Sequence, residues 1–184
     1  GWNPGTPQEI FSLEELVETF TLERVSKSGA KFDQDKTKWF NQTYLRAKSD
    51  QELGALLKPF VKGDFSDDYL AGVAKLMKER ASFIEEMLDG DYFFAKPTEF
   101  DAKTVKKKWK EHTPALMTEL AARYSDASDW SEENLEVVFK SFLEEKEVGM
   151  GAVLPNFRLI VTGKGMGPSM FAIANLLGKE ETLN

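Results

Sequence analysis

Helix-start signals recur along this chain and constrain its fold more than any other feature. Ser12-Leu-Glu-Glu15 and Ser49-Asp-Gln-Glu52 are capping boxes, in which a serine and the glutamate three residues later each accept a backbone N–H that the helix start leaves free. Apolar residues then recur at spacings of three and four, the period of one helix face. Segments that alternate apolar and polar residues, as strands do, are nearly absent. The pattern predicts an all-α protein.

The predicted helices follow one another to the end of the chain. Asp33 can cap a helix that carries Trp39, Phe40 and Tyr44. A helix over about 66–88, closed by Gly90, is expected to be the longest. Further helices are expected at about 101–111, 114–124 and 131–146, with two more on either side of a glycine-rich loop near the C-terminus.

Composition excludes several classes of site. The chain has no cysteine, which excludes disulfides and thiolate metal sites and makes a reducing cytoplasm the expected location. Its single histidine, His112, excludes multi-histidine metal clusters and stands at a predicted helix exit. No apolar run approaches the roughly 18 residues of a membrane span. The net charge of −7 argues against a general nucleic-acid coat protein, although a local basic surface can still bind RNA.

The segment from Val148 to Gly178 contains no Asp or Glu, although the whole chain is acidic. Arg158 and Lys164 are the only cations in this segment. A Gly-Lys-Gly-Met-Gly-Pro loop at 163–168 joins its two apolar, helix-compatible halves. Because glycine has no side chain, such a loop lets backbone and cations approach an anionic or planar partner closely. From the pattern alone, the two cations can equally be ordinary surface residues.

Arg80 stands inside an apolar stripe. Val73, Met77, Ile84 and Met87 have spacings that place them on one helical face. Arg80 falls three residues after Met77 and four before Ile84, so it shares that face. Since a buried, unpaired guanidinium is very costly, this residue needs a partner or a cleft. The alternative is an edge position, with its head group in water or paired with an acid.

The helix expected at 101–111 has a strongly basic face. Its four lysines are Lys103, Lys106, Lys107 and Lys110. Val105 and Trp109 stand on the opposite face. The lysines can contact phosphates, or they can form a solvated helix face with no partner.

Two blocks of the sequence are similar to a known family. Val25-Ser-Lys-Ser-Gly-Ala-Lys-Phe-Asp33, followed by Lys36, Trp39, Asn41 and Tyr44, forms the first block, and Thr37 stands where a Leu is usual. The second runs from Thr162-Gly163 through Pro168-Ser-Met-Phe171 to Leu176-Leu-Gly-Lys-Glu180. Gly1-Trp-Asn-Pro-Gly-Thr6 and Glu144-Glu-Lys146 match more loosely. Together they resemble the C-terminal region of bacterial glutamyl-tRNA synthetases, in the same order along the whole chain.

The resemblance implies the tRNA-binding region of a class I enzyme that joins glutamate to its tRNA with ATP and magnesium. It implies a cage-type, two-part helical array, with the end of the stem-contact domain at 1–44 and two helical anticodon-binding domains at 45–91 and 92–184. The ATP-site motifs His-x-Gly-His and Lys-Met-Ser-Lys-Ser do not occur here. We therefore expect a catalytic domain N-terminal to this region in the same chain, a monomer, and a region that binds RNA without catalysing a reaction.

The same resemblance assigns roles to individual residues. Arg80 corresponds to the arginine that reads the first anticodon base, and Ser26, Gly29 and Lys36 to contacts at the inner corner of the tRNA. Expected contacts around the second and third bases are Arg158, Gly167, Pro168, Ser169 and Met170, and Lys164 is expected to bind RNA as well. Ser169-Met170 departs from the commoner Gly-Leu of the family. The alternative function, kept open at this point, is a helical protein–protein interaction module in which Arg80 and the lysines form ion pairs.

Overall fold

The structure, a computed structural model that describes residues 1–184, consists of helices joined by short turns. Its nine α-helices are α1 (Leu13–Thr19), α2 (Gln34–Ala47), α3 (Asp50–Leu57), α4 (Asp67–Met77), α5 (Ala102–Lys108), α6 (Thr113–Ser125), α7 (Glu132–Glu145), α8 (Met150–Thr162) and α9 (Met170–Leu183). Short 3-10 segments occupy Leu22–Arg24, Lys58–Phe60, Ile84–Asp89 and Asp91–Phe93. The only β-type pairing is an isolated antiparallel bridge between Trp2 and Val25. The prediction of an all-α fold is confirmed.

The helices begin at the capping residues that the sequence indicates. Ser12 and Ser49 form complete capping boxes at the starts of α1 and α3. The side chain of Asp33 accepts a hydrogen bond from the Lys36 backbone N–H at 3.0 Å, and α2 starts directly after it. Because these signals satisfy the free N–H groups within one turn, they act locally and can be recognised without knowledge of the fold.

The single long helix expected at 66–88 is wrong. α4 ends at Met77, the chain turns through Arg80, and a 3-10 segment begins at Ile84. A straight helix would carry Met87 about 15 Å beyond Met77, at 1.5 Å per residue. The turn instead brings the 3-10 segment back onto α3 and α4, where Met87 is fully buried. Arg80 is therefore an exposed turn residue and not part of a helical stripe.

A single cluster of 23 buried side chains runs from Leu45 at the end of α2 to Ala174 in α9. No residue before Leu45 is buried. Aromatic rings from three helices meet in the cluster, where Phe139 of α7 lies 5.4 Å from Phe171 of α9 and 6.4 Å from Phe157 of α8, centroid to centroid. Each fully buried ring of this size contributes about 1.5–3 kcal/mol of hydrophobic stabilisation. This packing fixes the ends of α8 and α9 relative to each other.

The loop between α8 and α9 is held at its first residue. Gly163 ends α8 with a φ of +69°, in the left-handed region that favours glycine. A Cβ at Gly163 would lie 2.4 Å from the carbonyl oxygen of Glu99, so the backbone before α5 packs directly against the loop. The Asp101 N–H also donates to the Gly163 carbonyl at 2.8 Å. None of the helices combines the length and the apolar character that crossing a bilayer requires.

Candidate nucleic-acid interface

A cleft of about 390 Å³ lies between the 163–168 loop and the turn that follows α4. Its walls carry the cations Arg80 and Lys164, the carboxylates Glu86 and Asp89, and apolar surface from Met77 and Met166. Ligand pockets usually span about 300–1,000 Å³, so a cleft of this size can hold one small planar group. We call this cavity and its lining residues the arginine cleft.

Arg80 connects the two sides of the arginine cleft. Its Nη2 donates a hydrogen bond to the backbone carbonyl of Gly167 at 2.9 Å, across 87 residues of sequence. A guanidinium has five N–H donors in a planar fork, and this single bond leaves the others free for a ligand or water. Arg80 thus has a partner, but the partner is a neutral carbonyl and not the carboxylate of an ion pair.

Arg158 holds the adjacent carbonyl from below the loop. Its Nη2 donates to the carbonyl of Pro168 at 2.6 Å, while its Nη1 is buried without a hydrogen-bond partner. Burial holds the pKa of Arg158 below its usual value, Tyr92 opposes this shift, and the positive charge of Arg80 adds to it. The guanidinium of Arg158 is half-buried and forms no ion pair with a carboxylate.

Gly167 allows the close approach of Arg158. A Cβ at this position would lie 2.8 Å from Nη1 of Arg158 and 3.6 Å from the hydroxyl of Tyr92. The backbone of Gly167 has no left-handed φ, so the steric contact alone explains the glycine. Because two guanidinium groups hold consecutive carbonyls, the Gly167–Pro168 turn is fixed from both sides.

Tyr92 lies in the arginine cleft at 5% exposure. Burial raises the pKa of Tyr92 to about 12, and the two neighbouring arginines only partly offset this. Its hydroxyl therefore stays protonated at neutral pH and can donate a hydrogen bond. The next charge along the rim is Lys164, whose Nζ lies 3.2 Å from Oδ1 of Asp91.

Ser169 and Met170 anchor the turn to α9. The Oγ of Ser169 accepts a hydrogen bond from the Ala172 N–H at 3.3 Å and donates one to Glu132 at 2.7 Å. Met170 is 2% exposed and belongs to the core. These two side chains consequently hold the loop against the core. The hydroxyl of Ser169 is already hydrogen-bonded, and the side chain of Met170 is already buried.

The structure brings together one set of the expected site residues and leaves the other set apart. Five of them meet at the arginine cleft: Arg80, Arg158, Lys164, Gly167 and Pro168. Ser26, Gly29 and Lys36 do not line it and lie exposed in the segment before and within α2. The hydroxyl of Ser26 pairs with that of Ser28 at 2.7 Å, and Lys36 forms an ion pair with Glu9.

Four residues of the arginine cleft were not singled out from the sequence: Glu86, Asp89, Tyr92 and Met166. Met166 is 85% exposed, which is unusual for a large apolar side chain, and Tyr92 stands among the aromatic residues after Gly90. The position of Met166 between two glycines could have indicated an exposed apolar side chain, because a residue in a glycine loop has few core residues to pack against. Nothing local distinguishes Tyr92 from its neighbour Phe93, which is buried in the core.

Comparisons with known proteins identify the family of the chain. The family model described as "Anticodon binding domain" matches residues 52–184. The glutamate–tRNA ligase of Flavobacterium psychrophilum is 48% identical over 188 aligned positions, and that of Bacteroides fragilis is 45% identical over 187. Each alignment covers 100% of this chain and 37% of the relative.

Solved structures give the same result. A glutamate tRNA ligase from Elizabethkingia meningosepticum, in complex with its amino acid, superposes with a TM-score of 0.94 at 36% identity. The glutamate-tRNA synthetase of Elizabethkingia anophelis superposes with a TM-score of 0.89 at 33% identity. The chain spans 37% of the length of each. Since the family model matches well over half of its residues, the chain belongs to the anticodon binding domain family.

Proposed function

We propose that this chain is the anticodon-binding region of a glutamate–tRNA ligase, and that the arginine cleft binds bases from the anticodon loop of the tRNA for glutamate. The observation that carries the proposal is the convergence of Arg80 and Arg158 on the carbonyls of one glycine-proline turn beside an open cleft. Unpaired loop bases are commonly recognised by arginine, backbone groups and apolar side chains together. The arginine cleft offers all three.

Arg80 reads the first anticodon base. Its exposed guanidinium is held at one corner by the Gly167 carbonyl, which orients the remaining N–H donors without using them. Two parallel N–H groups can bond two acceptors on one base edge, a geometry that a lysine does not reproduce. Holding the arginine in place before RNA binds also lowers the conformational entropy lost on binding.

The second and third bases contact the other side of the cleft. Gly167–Pro168 supply backbone polar groups there, Lys164 supplies a charge at the rim, and the buried Arg158 acts through the Pro168 carbonyl that it holds. Ser169 and Met170 act through the turn that they anchor, since both are already engaged with α9 or the core. The exposed Met166 packs against a base.

The remaining parts of the proposal concern the whole protein. Ser26, Gly29 and Lys36 contact the inner corner of the tRNA from the segment 1–44, whose lack of buried residues fits a boundary near Leu45. The helical part divides near 91/92 into two units. Attachment of glutamate with ATP and magnesium takes place in a catalytic domain N-terminal to these residues, in a protein that is monomeric and cytoplasmic.

Substitution of Arg80 tests the proposal. The measurement is the affinity of the chain for anticodon-arm RNAs of the glutamate tRNA that differ only at the first anticodon base. Arg80→Gln should lose about 1–3 kcal/mol of discrimination between these bases, or roughly 5- to 150-fold. The fold, followed by circular dichroism, should not change, because the side chain is exposed.

Arg46→Gln is the matched control. Arg46 is also exposed, and its Nη2 also donates to a backbone carbonyl, that of Glu79 at 2.6 Å, but it does not line the arginine cleft. It should keep full discrimination. If Arg80→Gln discriminates as well as Arg46→Gln does, or if both variants lose binding equally, Arg80 does not read the base.

A further inference from the structure

A face of unpaired lysines lies on α5 and just past its end, outside the arginine cleft. We call Lys103, Lys106, Lys107 and Lys110 the lysine face. All four are exposed, and none has a carboxylate oxygen within 4.0 Å of its Nζ, whereas six other lysines of the chain do. Between positions 96 and 111 there are six lysines and three acids, in a chain whose net charge is −7.

The lysine face begins at the loop that forms the arginine cleft. The backbone before α5 donates from Asp101 to the carbonyl of Gly163 at 2.8 Å. A Cβ at Gly165 would lie 2.3 Å from Oγ1 of Thr104, so the first turn of α5 touches the loop directly. The first turn of α5 therefore adjoins the loop that carries Lys164, with no element between them.

The lysine face is also held rigidly. The Nδ2 of Asn156 in α8 donates to the carbonyl of Lys108 at 3.2 Å, and Nζ of Lys108 donates to the carbonyl of Gly151 at 3.1 Å. Asp101 caps the helix by accepting from the Thr104 N–H at 2.7 Å. These bonds fix the opposite side of α5 on α8, so that the lysine face points away from the core.

We propose that the lysine face binds the phosphate backbone of the RNA whose bases enter the arginine cleft. This inference rests on the proposed function of the cleft and extends it to the RNA strand that flanks the anticodon loop. From Lys103 to Lys107 α5 rises about 6 Å, at 1.5 Å per residue, and Lys110 follows two residues after the helix ends, so the face is long enough to contact more than one phosphate along a strand. Phosphate contacts hold a nucleic acid in register, while contacts to base edges supply the specificity.

An acidic protein surface is the competing partner for a face of this kind. The position of the face favours RNA, because an unpaired basic surface in an acidic chain adjoins the one cleft in which two arginines converge. The remainder of the chain is acidic and repels a polyanion, so the local field guides RNA onto this side. Binding at the lysine face should therefore be independent of base identity and sensitive to salt.

The test compares two triple variants of equal net charge. Lys103→Gln/Lys106→Gln/Lys107→Gln neutralises most of the lysine face. The matched control neutralises three exposed lysines elsewhere that also have no carboxylate partner: Lys48, Lys62 and Lys75. A third variant replaces the three lysine-face residues with arginine. Affinity for the anticodon arm of the glutamate tRNA is measured over a salt series, with thermal unfolding as a check on folding.

Loss of three phosphate contacts should lower the slope of log affinity against log salt by about 2, since each contact to single-stranded RNA contributes roughly 0.7. When salt rises from about 50 to 200 mM, the affinity of each protein falls. The fold-decrease for the lysine-face variant should be about 20 times smaller than that for the wild type. The arginine variant should behave as the wild type, and discrimination at the first anticodon base should persist in all variants.

Equal slopes for the glutamine variant and its control overturn the inference, and leave the proposed function intact if base discrimination remains. A wild-type chain that does not prefer the cognate arm overturns both. A glutamine variant that keeps its RNA affinity but loses binding to an acidic polypeptide such as polyglutamate assigns the face to a protein partner instead.

Discussion

Replacing Gly167 with alanine should disrupt the double arginine contact that shapes the cleft. The new Cβ would lie 2.8 Å from Nη1 of Arg158, closer than side-chain carbons approach other heavy atoms. Moving the guanidinium relieves the contact but breaks its 2.6 Å hydrogen bond to the Pro168 carbonyl. A hydrogen bond from a charged donor contributes about 1.5–3 kcal/mol, and we expect a loss near 1.5 kcal/mol, because the half-buried group regains some water.

A double-mutant cycle in urea measures this coupling directly. Gly167→Ala is combined with Arg158→Ala, which removes the atom that the new methyl group meets. In the Arg158→Ala background the glycine substitution should cost little, so the cycle should give a coupling energy of about 1–1.5 kcal/mol.

Gly151→Ala is the control for the general effect of adding a methyl group. A Cβ at Gly151 meets nothing within 4 Å, and the residue lies inside α8. Alanine there should stabilise the protein by about 0.4–1 kcal/mol. If Gly167→Ala changes the free energy of unfolding as Gly151→Ala does, or if its cost is the same with and without Arg158, the steric reasoning is refuted.

Two further substitutions test the loop and the buried phenol. Gly163→Ala should lower the free energy of unfolding in urea by about 2 kcal/mol or more, because a left-handed φ costs alanine roughly 1–2 kcal/mol and its Cβ would meet the Glu99 carbonyl; a cost below that of Gly167→Ala would contradict this. An unfolded tyrosine ionises near pH 10, whereas Tyr92 stays protonated to about 12, so stability should fall as pH rises from about 10 to 12. Tyr92→Phe should make that fall shallower by about 1.4 kcal/mol per pH unit, and an unchanged slope would contradict the assigned burial.

Local signals in the sequence predicted the helices well. Ser12, Asp33 and Ser49 cap helices where expected, because a cap satisfies N–H groups within its own first turn. The prediction of one helix at 66–88 was wrong. Apolar residues are buried both before and after the turn, so their spacing in the sequence does not reveal the turn between them. Met77 and Met87 both lie in the core, although a turn separates them.

The arrangement of the cleft could be predicted only in part. The helical stripe from which a partner for Arg80 was inferred does not form, whereas the resemblance named Arg80, Gly167 and Pro168 as site residues. The contact between Arg80 and Gly167 spans 87 residues, and no local period encodes it. Tyr92 was missed for the same reason, since its role in the cleft depends on how two distant segments pack.

Amide chemical-shift mapping of the isotope-labelled chain with the anticodon arm of the glutamate tRNA tests the central claim most directly. The largest changes should fall at residues 163–169 and around Arg80 and Tyr92, which border the arginine cleft. Smaller, salt-sensitive changes should follow along α5. An arm with a scrambled loop should lose the changes at the cleft and keep those on α5. Changes that avoid the cleft, or that are identical for the cognate and scrambled arms, would contradict anticodon binding at this site.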